Sequence, residues 1–485
     1  MKNRGLGLIA AVLTLGCGGT AEEAPPALNS ADNLQPIGQV GTVEGALYSG
    51  LATTGGLVYG CTAQHGMRIA RIEENRTLST VVERVDVPDG EGCRALAVAP
   101  DGALFVAGES TSGGSWIASV ATDGTGTMTP AALTSAGLIE TLAASDTHVF
   151  AVLGNGGLRI FGRNDGLLDE VGALEAGFDQ ALGVAVWGEQ LVVANGLAGV
   201  VLVDISDPSK PSLGNSVNTA GTARRVTVSE NTAFVADVGG GVSAFKLNGS
   251  TIQRIDTWDT HGSSVDLAMG ASGMLFVANL EDLVVLDASD PSSLQLAATD
   301  VIPSDDGSPG RIVAVSVDQS TAIAAEWSGL WTYDFQPGKN VPDIHVSKPA
   351  VDLGLVSLKK SKGLIVQNLG TAVLEITSFS VDHDDFSIDL DSDRLGPGKK
   401  ALLEVSFEPT DTEPVDAVLT LITNDPDEGT VHIPLRANTP GGIQVGAPFD
   451  PNNDRVFTEY ITGNGVTVGD QYPGKVVILA WFGTT

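Results

Sequence analysis

Ala181-Leu-Gly-Val-Ala-Val186, Gln190-Leu-Val-Val-Ala194 and Gly199-Val-Val-Leu-Val-Asp204 decide the fold. Each run is short, apolar and rich in valine, and each is separated from the next by a few small or polar residues. Such runs form buried β-strands, because branched side chains pack well on a pleated surface and the intervening residues suit tight turns. After the third run comes Ile205-Ser-Asp-Pro208. Asp bonds its own turn there and Pro presets φ, so this segment is turn chemistry rather than a site.

The arrangement repeats in both directions. Arg94–Val98 precedes Ala103–Ala107, Arg225–Val228 precedes Ala233–Ala236, and Val265–Ala268 precedes Met274–Ala278. Weaker copies lie at Leu57–Cys61, Thr141–Val152 and Ile312–Ala325. The second strands start at Leu57, Leu104, Val149, Leu191, Ala233, Leu275 and Ala322, at steps of 42 to 47 residues. Four short strands per repeat of that length is the pattern of a propeller blade, and seven blades can close a ring that leaves no open sheet edge. The expected ring covers residues 41–338. The segment near Val341 is a candidate for a strand that joins blade one to complete it.

The stretch Gly199 to Pro211 resembles the LVIVD repeat of bacterial surface proteins, and Ala223–Asp237 and Leu283–Pro291 match the same repeat. The resemblance is strongest from Gly183 to Pro291. It implies an extracellular propeller and is silent on the partner.

Residues 342–438 change character. Val351-Asp-Leu-Gly354, Leu364–Thr371, Ala401–Pro409, Leu419–Asp427 and Val431–Leu435 are alternating strands about ten residues apart, as in an immunoglobulin-like sandwich. Their order, with the Thr-Asn-Asp-Pro turn at 423–426, resembles the ASH or choice-of-anchor β-sandwich family. That resemblance implies a spacer or docking module. Residues 441–485 carry Val445–Phe449 and Tyr472–Phe482, which resemble the opening of a thioredoxin-like redoxin domain. Members of that family place a Cys-x-x-Cys next, on a helix N-terminus that lowers the thiol pKa. Here Gly483-Thr-Thr485 stands at that place, so a fragment or a frameshifted gene is expected. The alternative makes Lys475–Phe482 one more sandwich strand. The expected fold class is therefore all-β, a seven-bladed β-propeller followed by an immunoglobulin-like sandwich, with an incomplete thioredoxin-like C-terminal segment.

At the other end, Lys2 and Arg4 precede an apolar run from Gly5 to Leu15, too short to span a bilayer and suited to an export signal. Leu13-Thr-Leu-Gly-Cys17 resembles the lipobox of bacterial lipoproteins, with Thr14 where the family usually has Leu. The resemblance implies cleavage of residues 1–16 and lipidation of Cys17. Gly18 in place of Asp points to the outer membrane or cell surface. Residues 17–40, rich in Ala, Pro, Glu and Asn, are expected to be a flexible tether. A net charge of −33 argues against nucleic-acid partners, which require a basic surface.

Few constellations carry chemistry. The six histidines have no metal-ligand spacing. Asp389, Asp391 and Asp393 open like a calcium loop, but Arg394 and Lys400 stand where Gly and Glu are needed. No Gly-x-Ser-x-Gly occurs. No catalytic residue, metal site or cofactor is expected. Whether the chain is part of an enzyme turns on the redoxin segment. Arg94, Arg224 and Arg311 begin first strands, and Asn195, Asp237, Asn279 and Glu326 end second strands. Those positions share one mouth of the ring. They could bind a polar ligand or a peptide end, or could bond one another and close the channel. By the same geometry Cys61 and Cys93 fall together in neighbouring blades and are expected to form a disulfide in an oxidising compartment. The expected protein is a monomeric, lipid-tethered scaffold that recognises a protein or glycan. The alternative is the front of a thiol-disulfide oxidoreductase.

Overall fold

The computed structural model describes residues 34–40, 47–90, 92–134, 137–164, 167–301, 311–318, 321–326, 329–335 and 340–438. The export signal, Cys17 and the redoxin-like segment lie outside them. Seven four-stranded antiparallel sheets precede two further sheets. Blade four, for example, runs Gly183–Trp187, Gln190–Ala194, Val200–Asp204 and Ser212–Val217 from the channel outward. Second and third strands are nearly continuous apolar runs because neighbouring blades cover both of their faces. Val192, Phe234 and Phe276 are buried between blades, as are Trp116 and Tyr59. Fourth strands are mostly exposed; Ser212–Val217 faces solvent over nearly its whole length.

First strands of successive blades pack side by side around the axis, and blade one meets blade seven. At that seam Thr53 Oγ1 lies 2.9 Å from Ser316 Oγ and donates to the Val317 carbonyl at 3.1 Å. The closing strand departs from expectation. Leu34–Val40, read above as the end of the tether, is the outer strand of blade seven and pairs antiparallel with Gly329–Phe335. The propeller thus spans residues 34–335 and is locked by its own N-terminal end. Blade one needs nothing from Val341, because Tyr48–Thr54, Leu57–Thr62, Met67–Ile72 and Leu78–Val85 complete it. Arg76, in the last turn of blade one, pairs with the buried Asp334 of blade seven and strengthens the join.

Residues 344–437 form a two-sheet sandwich. One sheet orders Ile344–Val346, Lys360–Asn368, Lys400–Phe407 and Phe386–Leu390; the other centres on Thr430–Ala437, Val415–Thr423 and Leu374–Val381. Leu364, Leu403, Phe407, Leu419 and Leu435 fill the space between them. The Asn-Asp-Pro turn ties the ends together. Asp425 is buried and accepts the Ile344 amide at 2.7 Å, and Asn424 accepts the Glu375 amide at 2.7 Å. Asp343 and Glu428 bring carboxylates close to that of Asp425, but both Asp425 oxygens already accept backbone amides. Among the described residues no helix is long and apolar enough to cross a membrane.

Candidate ligand site at the propeller mouth

One backbone bond defines the register of the mouth. The residue just before the first strand donates its amide to an alanine or valine carbonyl at or near the end of the second strand. Arg94 bonds Ala107, Glu140 bonds Val152, Leu182 bonds Ala194, Arg224 bonds Ala236 and Val265 bonds Ala278. Arg94 and Arg224 therefore occupy equivalent positions. Glu140 belongs with them and was missed, because the Leu138-Ile-Glu140 copy is weak.

These side chains open onto a cavity of about 700 Å³, lined among others by Tyr48, Ser49, Cys93, Arg94, Glu109, Ser110, Glu140, Arg224 and Arg225. Arg94 donates to Glu140 at 2.9 Å across the join of blades two and three. The exposed Arg224 guanidinium makes no hydrogen bond or ion pair among the described residues. Arg225 turns inward and donates to the Leu182 carbonyl at 2.7 Å and the Glu140 carbonyl at 3.4 Å, spanning blades three to five. Burial pulls its pKa below the usual arginine value, while the Asp266 carboxylate opposes that shift. Asp266, on the first strand of blade six, accepts the Val315 amide at 3.0 Å, and burial pushes its carboxyl above the usual range.

The other expected mouth residues lie elsewhere, and this is a correction. Asn195, Asp237 and Asn279 are buried and do not line the cavity. Each clasps the loop that enters its own blade. Asn195 accepts the Asp179 amide at 2.8 Å. Asp237 accepts Thr219 Oγ1 at 2.7 Å and the Gly221 amide at 2.8 Å. Asn279 donates to the Thr260 carbonyl at 3.1 Å and accepts Ser264 Oγ at 3.2 Å. A loop amide buried at such a corner needs an acceptor, and the end of the second strand is the nearest place for one. Glu326 is buried at the end of blade seven's second strand, and Arg311 is exposed beside it; neither lines the cavity.

Cys61 and Cys93 are joined, with sulfurs 2.07 Å apart. The bond reinforces a seam already stitched by the Cys93 amide to the Thr62 carbonyl at 3.0 Å. Ser49 Oγ donates to the Cys93 carbonyl at 2.9 Å and fixes the cavity wall just before Arg94.

The sandwich docks on the same face, at blade six. Asp282, in the turn after the second strand, accepts Gln367 Nε2 at 3.0 Å and faces Lys400 at 3.7 Å. Lys399 Nζ lies 2.5 Å from His261 Nε2 in the loop entering that blade. A groove of about 350 Å³ runs between Glu281, Val301, His345 and Lys400.

Comparison with known proteins divides the chain in the same way. Residues 180–219, 220–243 and 272–299 match the LVIVD repeat. Residues 342–438 match the HYDIN/CFA65/VesB-like Ig-like domain. Neither match reaches the redoxin-like segment. No curated protein matches the chain. Among solved structures, the WD40 β-propeller domain of Doa1 is similar at 11% identity and TM-score 0.49, covering 62% of this chain and 97% of that one. Selenomethionine-substituted virginiamycin B lyase from Staphylococcus aureus is similar at 12% and 0.49, covering 62% and 98%. The RRP9 WD40 repeats are similar at 13% and 0.48, covering 62% and 97%. The chain is a β-propeller containing LVIVD repeats, joined to an Ig-like domain.

Proposed function

We propose that this is an exported, lipid-anchored binding scaffold that recognises an extracellular protein or glycan at the propeller mouth. The observation that carries this reading is the cavity of about 700 Å³ with the exposed Arg224 at its rim, whose guanidinium makes no hydrogen bond or ion pair among the described residues. Such a guanidinium beside a cavity is available to a ligand, whereas Asn195, Asp237 and Asn279 hold loops and Arg94 is paired with Glu140. Docking of the sandwich at blade six supports a composite recognition face, since a macromolecule reaching the cavity would pass beside the Ig-like domain. Lipidation at Cys17 rests on the lipobox-like sequence.

Two assays test the proposal. Glycan and peptide arrays probed with the exported chain should give binders that Arg94→Ala/Arg224→Ala loses. Radiolabelled palmitate should be incorporated in a Gram-negative host and lost in Cys17→Ser. Array binding that ignores the double variant would move recognition away from the mouth. Absence of label on the wild type would remove the anchor.

A further inference from the structure

The charges lining the mouth define the kind of ligand it suits. Arg94, Arg224 and Arg225 face Glu109 and Glu140 in the same cavity. Asp89 stands behind Ser110 and Thr111, and Asp266 behind Arg225, so the cavity holds guanidiniums and carboxylates side by side, inside a chain whose net charge is −33. The guanidiniums act on a ligand at short range, because salt screens the wider field beyond about 8–10 Å. The hydroxyls of the wall are engaged. Ser110 Oγ donates to Asp89 at 2.5 Å, Ser49 Oγ to the Cys93 carbonyl at 2.9 Å, and Ser115 Oγ to the Gly137 carbonyl at 3.1 Å. The charged donors for a ligand therefore come from the arginines, with the exposed Gln64 amide beside them. A guanidinium fork matches a planar, two-oxygen anion. A doubly charged phosphate would meet stronger repulsion from Glu109, Glu140 and the nearby Asp89, while a singly charged carboxylate needs only one guanidinium fork.

We infer that the mouth binds a small carboxylate-bearing ligand, held by Arg224 with Arg94 released from or shared with Glu140. This rests on the reading of the mouth as the binding site and specifies its chemistry. Two sources present that group at a size the cavity accepts, a uronic acid sugar and a peptide C-terminus.

Calorimetric titration of the full chain with digalacturonate and its methyl ester, and with triglycine and its C-terminal amide, tests the inference. The expected result is that one acid binds and its neutral derivative binds at least about tenfold more weakly. Arg224→Ala should weaken the acid about ten- to a hundredfold, as loss of a hydrogen bond to a charged group does. Arg224→Lys should fall between, because it keeps the charge and loses the fork. Which acid binds identifies the source. Equal binding of acid and ester, or of acid and amide, overturns the carboxylate inference while leaving the mouth a binding site. Failure of both acids overturns it as well, and the wider reading then depends on the arrays alone. Arg224 is exposed and makes no hydrogen bond or ion pair among the described residues, so both variants should melt within about 2 °C of wild type; this follows from surface changes costing no more than about 0.5 kcal/mol.

Discussion

Gln367 Nε2 of the sandwich donates to Asp282 Oδ2 of blade six at 3.0 Å, and both side chains are buried. Asp282 is also held from within its own blade by Asn279 Nδ2 at 2.5 Å. One carboxylate therefore belongs to the propeller turn and the domain junction at once. Burial raises its pKa, and Lys400 and the two amide donors counter that shift. Because the folded carboxyl holds its proton more tightly than the unfolded one, the charged form costs stability. That cost grows as pH rises from about 4, the unfolded carboxyl value, through the raised folded value. Asp282→Asn should flatten this part of the stability curve, measured by denaturant titration from pH 4 to 8. Gln367→Ala should cost about 1–3 kcal/mol through the lost partner and speed proteolysis at the domain junction.

His345 borders the groove beside Lys400 and contributes with the opposite sign. Burial, and secondarily the Lys400 charge, lowers its pKa. The folded state then binds fewer protons than the unfolded state, so its contribution is complete above about pH 6.5 and is lost as pH falls through the lowered folded value. His345→Gln should remove an acid-side loss of stability that the wild type shows.

The clasp at Asp237 separates a structural role from a ligand role. Asp237→Ala strips the acceptor from Thr219 and the Gly221 amide in a fully buried corner. It should destabilise the propeller by about 2–4 kcal/mol, more than one unsatisfied hydrogen bond costs. Arg224→Ala, by contrast, should stay within about 0.5 kcal/mol. Equilibrium unfolding of the two variants side by side checks the contrast.

Much of this architecture is visible in the chain itself, for physical reasons. Val192, Val193, Val235 and Val277 are wholly buried, and apolar runs buried on both faces stand out in any sequence. Leu34–Val40 does not stand out. It contains Pro36 and Gly38, its pairing shifts between them, and an edge strand can tolerate both residues because half of its backbone needs no partner. The mouth is half legible. First-strand starts identify Arg94 and Arg224 by position, yet Asn195, Asp237 and Asn279 have a fate set by the loop entering each blade. That contact is tertiary and leaves no periodic trace.

The strand exchange at the chain's N-terminal end carries its own test. Leu34 is buried and belongs to the core cluster shared by blades six and seven, together with Tyr333 and Phe276. Leu34→Ala should cost about 2–5 kcal/mol, as core truncation does. If residues 34–40 were only tether, the substitution would leave the melting temperature unchanged.

Reduction of Cys61–Cys93 should open the seam between blades one and two. The bridge closes a loop with a sequence separation of 32, for which chain entropy gives a stabilisation of about 3–4 kcal/mol. Native protein from an oxidising compartment should take up no iodoacetamide at these two residues. Labelling of both without reductant would sink the staple, and equal melting of wild type and Cys61→Ala/Cys93→Ala would remove its energetic role.

Arginine footprinting of the mouth tests the central claim most directly. The exported chain is treated with hydroxyphenylglyoxal, with and without its tightest array ligand, and modified peptides are mapped by mass. Arg224 should react readily when free and be protected by ligand, Arg94 should be protected less strongly, and the exposed Arg84 should react equally in both samples. Unchanged modification of Arg224 and Arg94 under saturating ligand would contradict the claim and place recognition outside the propeller mouth.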